Sequence, residues 1–133
     1  MANLKDTIRT TMVGAIPTSI GATSRIKIYS GSAPSKTASP TGTLLATLTP
    51  NATFSAAGAA GVQTCNAIAN DTNAAATGTP GYGRVIDGTV DDGTHTQLQV
   101  TCAIGSGEIN FSSGIVAGGT VSITALSLTD GNP

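Results

Sequence analysis

The chain carries very little charge. Charged residues make up 10% of its 133 residues and the net charge is −1, whereas about 25% is typical of soluble proteins. The few Lys and Arg residues are scattered along the chain, which argues against a basic surface for nucleic acid. Because a monomer in dilute solution normally needs more charge than this for solubility, the composition favours a protein that works docked on another protein.

Aromatic residues and long apolar runs are also scarce. The chain has no Trp, two Tyr and two Phe, so small aliphatic side chains must fill most of the core. Aromatic platforms for carbohydrate are therefore not expected. No apolar run approaches the roughly 20 residues that a membrane-spanning helix needs. The acidic Asp6 and several threonines near the N terminus are not typical of a signal peptide. We expect neither a membrane nor a nucleic acid as partner.

The chain contains two cysteines, Cys65 and Cys102, whose spacing does not suggest a metal site. In the alternating pattern around it, Cys102 shares a face with Leu98, Val100 and Ile104. The pattern therefore predicts a buried, reduced cysteine that packs as a small apolar residue. Pairing of the two cysteines remains an open alternative.

The only predicted helix covers residues 3–15, and Pro17 is expected to help end it. Leu4, Ile8 and Met12 recur at helical spacing, which gives a narrow apolar stripe. A helix this short is marginal alone and must be ordered by docking. It either lies on its own sheet or forms an arm that grips a neighbour. We predict these three apolar residues as interface residues.

From residue 25 onward, the sequence reads as strands and turns. Strands are predicted at residues 25–29, 43–49, near 54, 62–69, 82–87, 96–104, 108–112 and 119–129. No helices alternate with them, which excludes a doubly wound α/β fold. We predict one domain of the all-β class, with an N-terminal helix or arm in residues 1–24 and a β domain in residues 25–133. The expected architecture is an antiparallel β-sandwich or jelly-roll-like barrel of about seven or eight short strands.

The last predicted strand changes phase part-way along. Val121 and Ile123 share one face, whereas Leu126 and Leu128 fall on the opposite face. A β-bulge would return both leucines to the core, while a strand that leaves its own sheet would present them to a partner. Leu126 and Leu128 are therefore candidate interface residues, with the core as the open alternative.

Few residues are candidates for catalysis. The sole histidine, His95, follows Asp91 and Asp92 in a Gly-containing turn, where such residues commonly serve the turn itself. The segment lacks the ligand spacing and closing glutamate of a calcium loop of the EF-hand type. Asp87 and Glu108 are single carboxylates, whereas acid–base hydrolysis of sugars needs a pair. We predict no catalytic residue, no metal, no cofactor and no enzymatic activity.

Three stretches carry a resemblance to a known group of proteins: RIKIYSGSAPS at residues 25–35, TGTLLATLT at 41–49 and IVAGGTVSITALSLT at 115–129. Between the second and third lies the strand YGRVIDG, which contains Arg84 and Asp87. In this order, after a helical lead-in, the chain resembles small virion proteins of tailed bacteriophages. The resemblance covers nearly all of the chain, and Pro17 and the two cysteines depart from its pattern.

The resemblance implies a structural component of a phage particle. We expect a capsid decoration or cement protein that binds the outer surface of the major capsid protein shell and stabilises it. The alternative is a tail, neck or fibre-associated structural or receptor-binding component. Decoration proteins often form trimers, so we expect a homo-oligomer of that size. The expected location is the capsid surface of the virion, after synthesis in the cytoplasm of the host bacterium.

Overall fold

A computed structural model describes residues 4–55, 59, 61–124 and 126–129 of the chain. In this part, helix α1 covers Asp6–Ile20 and is followed by short strands. The strands are β1 (Arg25–Ser30), β2 (Leu44–Pro50), β3 (Val62–Thr64), β4 (Ile68–Ala69), β5 (Pro80–Ile86), β6 (Thr96–Ile104), β7 (Ile109–Phe111) and β8 (Ser127–Thr129). The described chain is thus mostly β with one short helix, and the all-β class is confirmed.

Six strands form one curled, mixed sheet in the order β4-β2-β1-β5-β6-β7, and β3 pairs with β8 in a second, two-stranded sheet. The pairs are antiparallel except β6 and β7, which run parallel. The prediction of a wholly antiparallel fold is therefore wrong at this pair. Gly105 and Gly107 lie in the short connection between these strands at φ values of 78° and 87°. Because glycine tolerates positive φ, the chain can reverse direction twice within it.

Small aliphatic side chains on the inner face of the large sheet build the core. β1 contributes Ile26 and Ile28, which are both completely buried, as their alternation predicts. Gly83 of the adjacent strand faces Ile28. A Cβ at Gly83 would lie 3.2 Å from Ile28 Cδ1 and 3.1 Å from Cys102 Sγ. The glycine therefore lets neighbouring core side chains meet closely over β5.

Helix α1 begins at Asp6, so the described residues 4 and 5 of the predicted helix lie outside it, and it extends past the predicted end. Pro17 lies inside it, and the helix stops at Gly21, whose φ is 74° and whose N–H donates to Pro17 O at 3.3 Å. A proline inside a helix removes one backbone hydrogen bond. The last turn forms nonetheless because it carries Ile20, which is 0% exposed, into the core. Tertiary packing thus overrides the local signal at Pro17.

The predicted strand at residues 62–69 is two strands in two different sheets. β3 pairs with β8, whereas β4 pairs with β2. Between them, the Cys65 N–H donates to Leu126 O at 2.8 Å and the Asn66 N–H donates to Phe54 O at 2.9 Å. The chain crosses here from the two-stranded sheet to the six-stranded sheet. The predicted strand is therefore divided because its two halves pair with different strands.

The phase change in the last segment does not occur within one continuous strand. Four apolar side chains of the segment point into the core, with exposures of 5%, 6%, 1% and 6%: Val121, Ile123, Leu126 and Leu128. Val121 pairs with Asp71, whereas β8 pairs with β3. Ile123 and Leu126 are three residues apart, whereas side chains on one face of a strand are two apart. The extra residue lets Leu126 and Leu128 face inward as Val121 and Ile123 do. Ala125, where the phase shifts, lies outside the described residues.

Both cysteines are free thiols. Cys102 is 3% exposed in the core and Cys65 is half-buried. Burial raises the pKa of each thiol to about 12, with the nearby Glu108 carboxylate adding to the effect at Cys102. Since the thiolate is the reactive form, both thiols are expected to be inert in the folded protein near neutral pH.

We expect the two thiols to react with a chromogenic disulfide reagent at about pH 8 far more slowly in the folded protein than in guanidinium. The folded pKa exceeds the unfolded value of about 8.5, so the stabilisation linked to these thiols is complete below that pH. It declines as the pH rises towards about 12. Equal reaction rates in the folded and unfolded states would contradict the burial.

Candidate functional site

The most deeply buried charge of the described chain is Arg84 on β5, which is 0% exposed. Its Nη1 donates to Asp91 Oδ1 at 3.0 Å and its Nε donates to Gln99 Oε1 at 3.0 Å. The Asp91 side chain is 1% exposed, and it also accepts a hydrogen bond from Thr96 Oγ1 at 3.1 Å. We call Arg84, Asp91, Thr96 and Gln99 the Arg84 cluster. Because both charges are desolvated, each depends on its partner for stability.

The Arg84 cluster holds the loop of residues 31–43. The guanidinium and the Gln99 amide donate to three loop carbonyls at 2.9–3.1 Å, those of Pro34, Ser35 and Ala38. In the sequence, Ala38 and Ser35 lie 46 and 49 residues before Arg84, and Pro34 lies 65 residues before Gln99. The loop therefore has a fixed conformation at the end of the sheet, although most of its residues are Ser, Thr, Gly and Pro.

Two tyrosines support the same loop. The Tyr82 hydroxyl accepts a hydrogen bond from Thr41 N at 3.0 Å and donates to Thr41 O. Tyr29 stacks on Tyr82 with ring centroids 5.2 Å apart, and its hydroxyl donates to Asp91 Oδ2 at 2.9 Å. Burial and the Asp91 carboxylate raise the pKa of Tyr29 well above its usual range. Tyr29 is thus held as a neutral donor that completes the shell around Asp91.

The two neighbouring aspartates, Asp91 and Asp92, serve different purposes. Asp92 Oδ1 accepts a hydrogen bond from Thr94 N at 2.9 Å and lies 3.0 Å from His95 Nδ1, at the surface. The contact with His95 lowers the pKa of Asp92. Asp91, in contrast, points into the protein towards Arg84. The structure therefore brings Asp92 and His95 together within their own turn, which their contact stabilises, and separates Asp91 from both side chains.

The other carboxylate residues considered from the sequence also have local roles. Glu108 Oε2 accepts hydrogen bonds from Thr101 Oγ1 at 2.9 Å and from Thr101 N, which braces the connection between β6 and β7. The Asp87 N–H donates to His95 O at 3.0 Å. Across the described ranges, no three His, Cys, Asp or Glu side chains gather in an arrangement that would hold a metal ion. No helix in the described part of the chain has the length and apolar character to cross a membrane.

The apolar stripe predicted on the helix faces solvent. On the helix, Ile8 is 50% exposed and Met12 is 51% exposed, whereas Leu4 lies just before the first residue of α1 and is half-buried. The opposite side of α1 packs on the domain through Val13 and Ile20. We call Leu4, Ile8 and Met12 the helix stripe. It leaves two large apolar side chains available for contact with another molecule, and binding through the helix stripe stays a prediction.

The remaining candidate interface residues lie elsewhere. Leu126 and Leu128 are 1% and 6% exposed and belong to the hydrophobic core of this chain. Their burial agrees with the core alternative for the phase change. Neither side chain offers a surface for contact with another molecule, so of the five predicted interface residues only those of the helix stripe stay candidates.

Sequence reasoning missed the Arg84 cluster, and Arg84 entered only as part of a resemblance. The residues from Tyr82 to Ile86 are all buried in β5, on both faces of the strand. An arginine within such an apolar run, followed seven residues later by an aspartate, is a signal for a buried ion pair. The loop carbonyls that complete the site come from far along the chain, and no local pattern identifies them.

The chain matches no protein-family model, no curated protein and no solved structure. Its function must therefore be inferred from the surfaces described above and from the resemblance of its strand motifs.

Proposed function

We propose that this protein is a structural component of a tailed-phage virion, a decoration or cement protein that binds the outer surface of the major capsid protein shell. The observation that carries the proposal is the helix stripe, in which Ile8 and Met12 are 50% and 51% exposed. On so weakly charged a chain, this stripe is a natural contact for another protein. The sandwich or jelly-roll arrangement and a trimeric state belong to the same proposal.

Shell stabilisation requires contact area and no chemistry. Burying one large apolar side chain contributes about 1.5–3 kcal/mol, and Ile8 and Met12 already have about half of their surface covered. The helix stripe alone would thus supply a modest affinity. A homo-oligomer that engages several capsid subunits at once converts such modest contacts into strong binding through effective concentration.

The loop of residues 31–43 offers a second, rigid surface at the end of the sheet. Exposed Ser, Thr and Lys side chains cover it, while the Arg84 cluster holds its backbone from inside. A surface that is fixed before binding loses little conformational entropy on contact. Arg84, a residue of the strand motif that carries the resemblance, would therefore act by shaping this loop, since its own side chain is completely buried.

The proposal is tested by adding the purified protein to shells assembled from the major capsid protein of its phage, followed by electron microscopy. We expect density repeated over the icosahedral faces. If the protein instead locates at one vertex of complete virions, the tail, neck or fibre role replaces the decoration role. Absence of the protein from both shells and virions would overturn a virion role altogether.

The double variant Ile8→Ser/Met12→Ser is expected to weaken binding to these shells at least about tenfold, because it removes roughly 1.4 kcal/mol or more of apolar burial. Both side chains are half-exposed, so the melting temperature should change by no more than about 3 °C. Cosedimentation and thermal unfolding measure the two effects. The control Thr7→Ser/Thr18→Ser alters exposed helix positions outside the helix stripe. Equal binding by the double variant and this control would contradict the assigned interface.

A further inference from the structure

A groove of about 560 Å³ lies beside the free edge of β7. Its lining residues come from β7 and the chain that follows it: Asn110, Phe111, Ser112, Ser113, Gly114, Ile115, Val116, Gly119, Thr120, Val121, Ser122 and Thr124. None of these residues is charged. The groove thus offers no side-chain charge to an ion, and its lining includes the strand residues Asn110 and Phe111 and the bridge residues Ile115 and Val121.

One wall of the groove is β7. Successive residues of a strand direct their N–H and C=O groups to alternate edges. The Gly105 N–H donates to Phe111 O at 3.0 Å, so Phe111 and, two residues earlier, Ile109 direct their backbone groups towards β6. Asn110, which lies between them, directs its N–H and C=O away from β6. These two groups therefore face the groove.

The opposite wall is the segment at residues 119–124. Val121 exchanges two backbone hydrogen bonds with Asp71, at 2.7 and 3.0 Å. The same alternation then directs the N–H and C=O groups of Thr120 and Ser122 away from Asp71 and towards the groove. Within the described residues, no backbone hydrogen bond involves Thr120 or Ser122. Both walls thus present unpaired strand edges to each other.

The sheet topology explains why the edges face each other. Beyond β2, residues 71–78 form bends and isolated bridges that attach to the sheet, where the Ala75 N–H donates to Leu45 O at 2.8 Å. Gly78 and Ile115 exchange two further hydrogen bonds of 2.9 Å, which attach the segment after β7 to this extension. The segment after β7 is therefore attached to the opposite end of the curled sheet, and among the described residues no strand pairs with the edges that line the groove.

Apolar side chains of the core form the floor of the groove. Phe111, Ile115 and Val121 are 7%, 5% and 5% exposed. Val116 lies at the rim and is 64% exposed. A strand inserted between the walls would direct alternate side chains onto this floor, with the intervening ones towards solvent. The site thus favours a segment in which apolar residues alternate with small polar ones.

We propose that the groove binds an extended, uncharged segment of a different protein, which adds a strand and pairs with both walls. Open strand edges are ready templates for such pairing. A helix with its side chains is about 10–12 Å wide and has no backbone groups left to pair with the walls. A charged segment would lose hydration without finding an opposite charge in the lining. In the proposed decoration role the shell protein would donate the segment, but the pairing itself does not depend on that role.

The probe for this test is the peptide acetyl-Thr-Val-Ser-Ile-Thr-amide, which repeats the uncharged sequence of residues 120–124. At millimolar peptide, we expect NMR shift changes at the groove and hydrogen exchange slowed about tenfold or more at three amides: those of Asn110, Thr120 and Ser122. A control peptide with proline in place of its central serine lacks one donor and should bind more weakly. No change at these amides, or changes confined to the helix stripe, would overturn the proposal.

The variants Ser122→Pro and Ser122→Ala form a matched pair. Proline removes the N–H that faces the groove, at an edge position where it is tolerated, whereas alanine keeps this N–H. We expect the peptide dissociation constant to rise about tenfold for Ser122→Pro and less than twofold for Ser122→Ala. If Ser122→Pro unfolds, Asn110→Pro tests the opposite wall. Unchanged peptide binding by the folded proline variant overturns the proposal, as does amide protection that appears with protein concentration alone, which would make a second copy the occupant.

Discussion

Replacing Arg84 with Met is expected to lower the free energy of unfolding by about 3–5 kcal/mol, because the change leaves a buried carboxylate without its partner. The Asp91 side chain is 1% exposed, so water cannot take over the role of the guanidinium. The loop carbonyls of Ser35 and Ala38 lose their donors at the same time. For a domain of this size, the melting temperature should fall by roughly 10–20 °C.

The controls for this prediction separate charge from hydrogen bonding. Arg84→Lys keeps the charge but loses the planar fork that reaches both loop carbonyls, so an intermediate loss is expected. In Arg84→Met/Asp91→Asn the unpaired charge is gone, which should return part of the lost stability. Urea unfolding followed by circular dichroism measures all three variants. A loss below about 1 kcal/mol for Arg84→Met would show that the ion pair does not stabilise the fold.

The same variant should also release the loop of residues 31–43. Lys36 in this loop is exposed and followed by Thr37, so trypsin can cleave there once the loop becomes mobile. We expect the parent protein to resist cleavage at Lys36 under conditions in which Arg84→Met is cut. Equal cleavage of both proteins, at a temperature where both are folded, would mean that the Arg84 cluster does not order the loop.

Replacing Leu126 with Ser is expected to destabilise the protein by about 3–5 kcal/mol. Leu126 is 1% exposed, so the change leaves a cavity in the core and buries a hydroxyl group in apolar surroundings. Leu128→Ser should act in the same direction, since that residue is 6% exposed. Thermal and denaturant unfolding of the free protein give the measurement.

The matched control is Ser127→Ala, which alters the exposed residue between the two leucines and should change stability by no more than about 0.5 kcal/mol. A variant Leu126→Ser that keeps the parent stability but fails to assemble would place the leucine at an interface and contradict its core position. The loss of stability expected for Leu126→Ser is the reverse of the result expected for the helix stripe, where substitution should weaken assembly and leave stability almost unchanged.

The sequence alone determined where most strands lie. The predicted strands at residues 25–29, 43–49 and 96–104 correspond to β1 (Arg25–Ser30), β2 (Leu44–Pro50) and β6 (Thr96–Ile104) within about one residue at each end. This agreement is expected, since alternation of polar and apolar residues is a local consequence of one face being buried. The apolar spacing of the helix stripe is likewise local, but it did not determine that Ile8 and Met12 face solvent.

Only the tertiary structure decided the features that depend on distant partners. Ile20 carries the helix past Pro17 because the core accepts its side chain. Leu126 turns inward because β8 pairs with β3, more than sixty residues earlier in the chain. Arg84 binds loop carbonyls up to 49 residues away. Local periodicity indicates which residues are buried. Which groups cover them is decided by contacts between distant segments, and these contacts form only when the chain folds.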